Sequence, residues 1–136
     1  KVVKNLAFEK FIYSEDDTSA SFHRTIADGW AFNYWTIPRT NAKFTLDLDE
    51  VKEIKEIQMT WGTDYADSYM VEASVDGKNW FFVIGVMDGT GDEEVLRLPP
   101  NTKARYIRFM NFGFPQRTPA ILGDIRVYGT EYEDKD

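Results

Sequence analysis

The sequence predicts an all-β fold, a β-sandwich, and two patterns support that prediction. Apolar and polar residues alternate with a period of two in segment after segment, as in residues 56–61 (EIQMTW) and 69–75 (YMVEASV). That period is the mark of a strand with one buried face. Turn signals such as Asp76-Gly77 separate these segments, and no segment shows a convincing helical period. Several short strands separated by turns favour a sandwich.

The expected elements follow in chain order. An entry strand lies within residues 1–13, residues 14–20 (SEDDTSA) form a polar loop, and residues 22–26 fit a single helical turn. Trp61 and Trp80 flank strands and are expected in the core. Further strands are expected at about 43–48, 54–61, 69–75, 80–86, 94–98, 104–110 and 124–129.

Length and composition indicate a single domain whose ligands are neither nucleic acid nor an anionic membrane. The 136 residues fit one domain at residues 1–130, with residues 131–136 as an acidic tail or linker. The chain has no cysteine, which rules out a disulfide framework and a thiolate metal site. Its formal net charge of -7 argues against both ligands, because proteins bind nucleic acid and anionic membranes mainly through basic patches. No apolar run is long enough for a membrane span.

Catalytic signals are poor. The only histidine, His23, stands beside Phe22 in the expected helical turn, with no nucleophile near it. The motifs Gly-x-Ser-x-Gly and His-Glu-x-x-His and the phosphate loop are absent. Paired carboxylates serve glycosidases as acid and base, but Asp92-Glu93 and Glu93-Glu94 lie in turns or at strand edges and are expected as solvated surface. We therefore expect no enzymatic activity.

Motifs spread over nearly the whole chain resemble one family. The stretch 61–80, WGTDYADSYMVEASVDGKNW, resembles the middle of discoidin domains, also called coagulation-factor type C domains, and most of all the family-32 carbohydrate-binding modules of bacterial glycosidases. Other segments match in the same order: residues 5–7 (NLA), 27–29 (ADG) with Trp35, 104–108 (ARYIR) and 124–129 (DIRVYG). The resemblance implies an eight-stranded jelly-roll β-sandwich, whose loops cluster at its two ends and bear its function.

The resemblance also implies a function. It predicts a non-catalytic carbohydrate-binding module of a secreted enzyme that acts on glycosides, with a glycan or polysaccharide as its partner. Such a module would be a monomeric part of a multi-domain protein and would hold the enzyme on its polysaccharide by raising the effective concentration. The alternative is a cell-surface or extracellular-matrix protein-binding (adhesion) domain, because type C domains also bind proteins. A structural spacer without a ligand is a third possibility.

A sugar-binding rim is expected in the last long loop and its neighbours. Sugar rings are held by exposed aromatic platforms together with paired hydrogen bonds from Arg, Asn, Asp or Gln. Residues 111–118 (NFGFPQRT) combine these groups, and the loop after Trp61 adds polar side chains. The predicted ligand-binding residues are Trp30, Asp64, Tyr65, Asn111, Phe112, Phe114, Gln116 and Arg117. Among these aromatic residues, Phe114 is the one most expected to be exposed, whereas Phe112 alternatively plugs the end of the sandwich.

A calcium site is expected at the loop that contains Asp28. Hard cations take oxygen ligands, which a turn such as Asp28-Gly29 supplies from a side chain and from backbone carbonyls, and Asn33 follows in the same loop. The resemblance implies a structural calcium held by this loop and by the acidic residue of the last strand, which Asp124 matches. Trp30 stands where the family has Asn, and Asp124 replaces a longer Glu. Alternatively, Asp28 only caps a turn.

Overall fold

The computed structural model describes residues 1–14, 24–25 and 35–134 and shows the predicted all-β fold. Ten strands are assigned in these ranges: β1 (Val2–Asn5), β2 (Phe11–Ser14), β3 (Arg24–Thr25), β4 (Trp35–Ile37), β5 (Phe44–Trp61), β6 (Ser68–Ser74), β7 (Phe81–Val86), β8 (Glu93–Arg97), β9 (Lys103–Gly113) and β10 (Ala120–Glu133). Within the described residues, no helix has the length and apolarity needed to cross a membrane.

The ten strands differ from the predicted eight in several places. A bend at Glu9 (φ 60°) divides the entry strand into β1 and β2. The two-residue β3 pairs with β2, although it lies within the residues that fit a helical turn. The short β4 pairs with the start of β10, where Ile37 lies opposite Ala120. The predicted strands at 43–48 and 54–61 are one continuous strand, β5.

β5 joins the two sheets of the sandwich. Its first part pairs with β2 and β9, in the sheet order β3-β2-β5-β9-β6-β7. Its second part pairs with β10 and β8, in the order β1-β10-β5-β8. The pairing with β9 is irregular between Asp47 and Lys52, where Asp49 takes a φ of 72° and donates its backbone N–H to Asp47 Oδ1 at 2.8 Å. A bulge therefore replaces the predicted turn and allows one strand to serve both sheets.

The core lies between the two sheets and consists of the inward-facing residues of alternating strands. Its fully buried members, at most 1% exposed, include Leu46, Ile57, Val71, Ile107 and Ile125. They come from β5, β6, β9 and β10, so every long strand contributes to one continuous core. Buried residues recur at every second position along much of β5 and β6, as the sequence pattern predicted.

The two tryptophans assigned to the core have different environments. Trp61 is 5% exposed, as predicted. Trp80 lies outside the core, where the Arg108 guanidinium stacks 3.9 Å from the centre of its ring. Arg108 also donates to Glu72 Oε1 at 2.7 Å on the outer face of the β6–β9 pair. The prediction that Trp80 is a core residue is wrong, because an ion pair on the sheet surface covers its ring instead.

The last strand is longer than predicted. β10 continues to Glu133, and Tyr132 and Glu133 pair with Val3 and Val2 of β1. Residues 131–133 therefore belong to the sheet rather than to an acidic tail, because β1 offers them a partner strand.

Candidate ligand-binding end of the sandwich

One end of the sandwich brings together three loops: residues 62–67 between β5 and β6, 87–92 between β7 and β8, and 114–119 between β9 and β10. We call these three loops the loop end. Antiparallel pairing places the end of one strand beside the start of its neighbour, which is why the loops meet. Most of the predicted ligand-binding residues lie here: Asp64, Tyr65, Phe114, Gln116 and Arg117.

Backbone hydrogen bonds tie the loops to one another. Ile121 N donates to Asp64 O at 2.8 Å, and Asp67 N donates to Gly113 O at 2.9 Å. Gly89 N donates to Asp67 O at 2.7 Å. The β5–β6 loop is thus bonded to the strands that bear the β9–β10 loop and to the β7–β8 loop itself. The loop end is therefore ordered by its own contacts, which lowers the entropy that binding a ligand would cost.

Tyr65 and Gln116, predicted as ligand contacts, hold the loops together. Gln116 Nε2 donates to Tyr65 O at 2.9 Å and to Thr118 O at 3.2 Å. The Tyr65 ring packs on Gly91, where a Cβ atom would lie 2.8 Å from the ring. Gly91 also has a φ of +78°, which favours glycine for a second reason. Both predicted side chains position the loop end.

Phe112, near the end of β9, and Phe114, in the β9–β10 loop, are less exposed than ligand-binding residues would be. Phe112 is 4% exposed, and its ring centre lies 6.0 Å from that of Phe44 and 6.2 Å from that of Tyr69. Phe112 therefore plugs the end of the core, which corrects its place among the ligand-binding residues. Phe114 was expected to be exposed but is half-buried, because its ring packs against the core.

Asn111 and Arg117 are exposed, and Asp64 is half-buried. Asn111 is exposed with a φ of 56°, and its Nδ2 donates to Met70 Sδ at 2.8 Å. Arg117 is exposed in the middle of its loop, and none of the ion pairs among the described residues uses Arg117 or Asp64. A guanidinium fork and a carboxylate are therefore available for paired hydrogen bonds to a ligand.

A carboxylate that was expected at the surface lies beneath the loop end. Glu94 is half-buried, and its Oε1 accepts hydrogen bonds from Trp61 Nε1 at 2.7 Å and Tyr69 Oη at 2.8 Å. Burial raises the pKa of Tyr69 and the nearby Glu94 charge raises it further, so the phenol keeps its proton and remains a donor. The sequence contains an indication of this arrangement. Glu94 lies two residues before the buried Leu96 and therefore on the same face of the strand. Buried Trp and Tyr side chains also need hydrogen-bond acceptors.

The predicted metal site is only partly described. Asp28, Trp30 and Asn33 lie outside the described residues. Asp124 is 5% exposed, and its Oδ2 lies 3.7 Å from Arg126 Nε. In the described ranges, no group of three or more His, Cys, Asp or Glu side chains is arranged to hold a metal ion. Asp124 is thus a buried carboxylate with a cationic neighbour, in a place where further ligands would have to come from elsewhere in the chain.

Comparisons with known proteins agree with this architecture. The family model described as the F5/8 type C domain matches residues 12–118. Chitosan-binding module 1 of a chitosanase/glucanase from Paenibacillus sp. IK-5 has a similar structure, with a TM-score of 0.78 and 22% identity over 93% of this chain and 99% of that chain. Chitosan-binding module 2 of the same enzyme, in complex with chitotriose, gives 0.78 and 22% over 92% and 100%.

A third similar structure comes from Clostridium perfringens. It is the module CpGH89CBM32-5 in complex with GalNAc-β-1,3-galactose, with a TM-score of 0.74 and 17% identity over 93% of this chain and 100% of that chain. At 17% and 22% identity, the similarity to these modules shows that the chain shares their fold. No curated protein sequence matches this chain.

Proposed function

We propose, from the premise that this chain belongs to the F5/8 type C domain family, that it is a non-catalytic carbohydrate-binding module. The observation that supports this most directly is the loop end, in which hydrogen bonds order the loops while Asp64 and Arg117 remain available to a ligand. Modules that share the fold along their whole length are named for chitosan binding or were solved with GalNAc-β-1,3-galactose.

The partner of such a module would be the glycan or polysaccharide on which an attached enzyme acts outside the cell. The two chitosan-binding modules derive from a chitosanase/glucanase, which supports an attachment of this kind. The module would raise the concentration of the enzyme at its substrate. A single shallow polar site of this kind binds weakly, with dissociation constants on the order of micromolar to millimolar.

Each side chain of the loop end would make a different contact with a sugar. Arg117 would donate its planar fork to a pair of hydroxyl oxygens, and Asp64 would accept from hydroxyl groups. The half-buried Phe114 would offer the edge of its ring to the apolar C–H face of the sugar. Tyr65 and Gln116 would act mainly by holding these groups in place, as their contacts within the loop end indicate.

Calorimetric titration with the strongest ligand from a glycan array tests this proposal. Arg117→Ala should lose tenfold or more in affinity, because a hydrogen bond to a charged group is worth about 1.5–3 kcal/mol. The matched control is Arg97→Ala, since Arg97 has an 80% exposed side chain at the far end of β8. That variant should stay within about twofold of the wild type, as exposed charges contribute little. A wild-type protein that binds no glycan would refute the proposal, and equal losses in both variants would remove Arg117 from the site.

We also propose a structural calcium ion bound by Asp28, Asn33 and Asp124. β4 begins at Trp35 opposite Leu122, and the buried Asp124 follows two residues later in β10. Asn33 precedes Trp35 by two residues, so the covalent chain keeps the Cα atoms of Asn33 and Trp35 within about 8 Å of each other. Bound calcium would neutralise the carboxylates and link this loop to the last strand.

Protein binding is the second candidate function, and β7 favours it. Among the described strands β7 pairs only with β6, at the edge of its sheet. Phe82 on this strand is 61% exposed and the adjacent Met87 is 82% exposed. Exposed apolar side chains at an open sheet edge are suited to a protein partner. If the glycan array is negative while a cell-surface protein binds the wild type and not Phe82→Ser, this second function replaces the first.

A further inference from the structure

The β7–β8 loop, residues 87–92, is held in place from outside. Gly89 N donates to Asp67 O at 2.7 Å, and Asp92 O accepts from Trp61 N at 2.7 Å. Both partners belong to the end of β5 or to the loop that follows it. The position of the β7–β8 loop therefore depends on the neighbouring part of the loop end.

Glu94 lies against this loop, beside Gly89. A Cβ atom on Gly89 would lie 2.5 Å from Glu94 Oε2 and 3.2 Å from Asp67 O, so the space between them fits glycine only. Glu94 Oε1 is held at the same time by Trp61 Nε1 and Tyr69 Oη, at 2.7 and 2.8 Å. These two hydrogen bonds hold the carboxylate in its position beside Gly89. We call this contact the Glu94–Gly89 clamp.

We infer that the β7–β8 loop is a third wall of the glycan site and that the Glu94–Gly89 clamp fixes it there, an inference that rests on the proposed function. Asp88 and Thr90 stand on either side of Gly89 and are both exposed. The clamp therefore presents a carboxylate and a hydroxyl group beside the β5–β6 loop. These are the groups that form paired hydrogen bonds with neighbouring sugar hydroxyls. Glu94 is a positioning residue in this arrangement, because it acts through Gly89 and Asp88 rather than on the ligand.

Three variants separate the clamp from general stability. Glu94→Gln keeps the size of the side chain but removes the charged acceptor, and it should weaken glycan binding about fivefold or more, as weakened charged hydrogen bonds do. Asp88→Ala removes the presented carboxylate and should weaken binding about threefold or more by the same reasoning. The control Glu72→Gln removes a carboxylate of 19% side-chain exposure that pairs with Arg108 on the outer sheet face. It should lower the melting midpoint and leave the affinity unchanged.

Two measurements decide the inference: titration with the array ligand and hydrogen exchange of the Gly89 amide in the ligand-free protein. We expect faster Gly89 exchange in Glu94→Gln, unchanged exchange in Asp88→Ala and Glu72→Gln, and weaker binding in Glu94→Gln and Asp88→Ala only. Unchanged Gly89 exchange in folded Glu94→Gln would refute the clamp. Unchanged affinity in Asp88→Ala, or an equal loss in Glu72→Gln, would refute the third wall.

The same experiments distinguish this inference from the proposed function. If the wild type binds no glycan, the proposed function and the third wall fail, while Gly89 exchange still decides the clamp. If Glu94→Gln does not fold, Tyr69→Phe removes one of the two donors that hold Glu94 and takes its place in the exchange measurement. Unchanged Gly89 exchange in that variant would then refute the clamp.

Discussion

The two turns that flank β7 hold their shapes by different means. In the first, Asp76 Oδ1 accepts hydrogen bonds from Ser74 Oγ at 3.0 Å and from the backbone N–H groups of Lys78 and Asn79 at 2.8 Å each. Asn79 Nδ2 donates to the other carboxylate oxygen at 2.7 Å. Every partner is a near neighbour in sequence, and Gly77 supplies the φ of +78° that the turn requires. This turn would keep its shape with little help from the rest of the protein.

The second turn, the β7–β8 loop, depends on partners far away in the sequence. Gly89 donates to Asp67 O and lies beside Glu94, and Asp92 O accepts from Trp61 N. The β7–β8 loop is thus hydrogen-bonded to its neighbours, whereas the hydrogen bonds of the Asp76 turn lie mostly within the turn itself. These shared contacts tie the loops of the loop end together, so we expect a change in one loop to affect the others.

Calcium is expected to give the largest effect, because it would create a third kind of loop, one held by an ion. A ligand that binds only the folded state adds about 2.7 kcal/mol at a hundredfold excess over its dissociation constant. Chelation should lower the melting midpoint by roughly 2–8 °C for each kcal/mol lost. Calcium should restore the midpoint better than magnesium, which demands a tighter octahedron.

The control for calcium is Asp28→Ala, which should melt low and should not respond to either ion. Elemental analysis of the purified protein measures bound metal directly. A wild-type midpoint that chelation leaves unmoved, in a protein without metal, would show that Asp28 only caps a turn.

Gly89→Ala tests the loop that is held from outside. The added Cβ would meet Glu94 Oε2 and the backbone oxygen of Asp67, and overpacking of this kind lowers the free energy of unfolding by about 1–3 kcal/mol. The matched control is Gly85→Ala in β7, where a Cβ would meet only Phe82, at an ordinary 3.6 Å. Urea denaturation of both variants measures the difference. Equal stability of the two variants would mean that the β7–β8 loop adapts freely and would remove the contrast between the turns.

Asp76→Asn should give the smallest effect, a small loss of stability at neutral pH that shrinks in acid. Hydrogen bonds from the backbone N–H groups of Asn79 and then Lys78 hold the pKa of Asp76 well below its usual range. A carboxyl group whose pKa is lower in the folded state stabilises the fold above the unfolded pKa, and that contribution is lost as the pH falls toward the folded value. Below about pH 4 the wild type should therefore lose stability more steeply than Asp76→Asn.

Midpoints of thermal melting between neutral pH and strong acid measure this difference, and glycan affinity at neutral pH should be the same in both proteins. If the wild type and Asp76→Asn lose stability equally as the pH falls, the turn does not lower the pKa of Asp76. A loss of affinity in Asp76→Asn would mean that this turn, too, is coupled to the site.

The placement of Phe112 shows where prediction from the sequence ends. Ile107 and Phe109 face the core in β9, so a strict period of two would turn residue 111 inward and Phe112 outward. Asn111 instead takes a φ of 56°, and the pairing with β6 is irregular between Ser68 and Met70, so Phe112 faces the core. A bulge shifts the phase of the alternation by one residue and reverses the face of every residue after it. The sequence alone showed no sign of this bulge.

The all-β class and the Asp76 turn were predictable from the sequence, because they depend on side-chain alternation and on contacts between near neighbours. It also placed Asp64 and Arg117 together in the loops of one end, through the resemblance of its motifs to a known family. The packing of the two sheets was needed to show that β5 serves both of them, that Phe112 plugs the core, and that Glu94 lies beside Gly89. These features depend on bulges and on partners distant in sequence, and such contacts exist only once the two sheets have packed together.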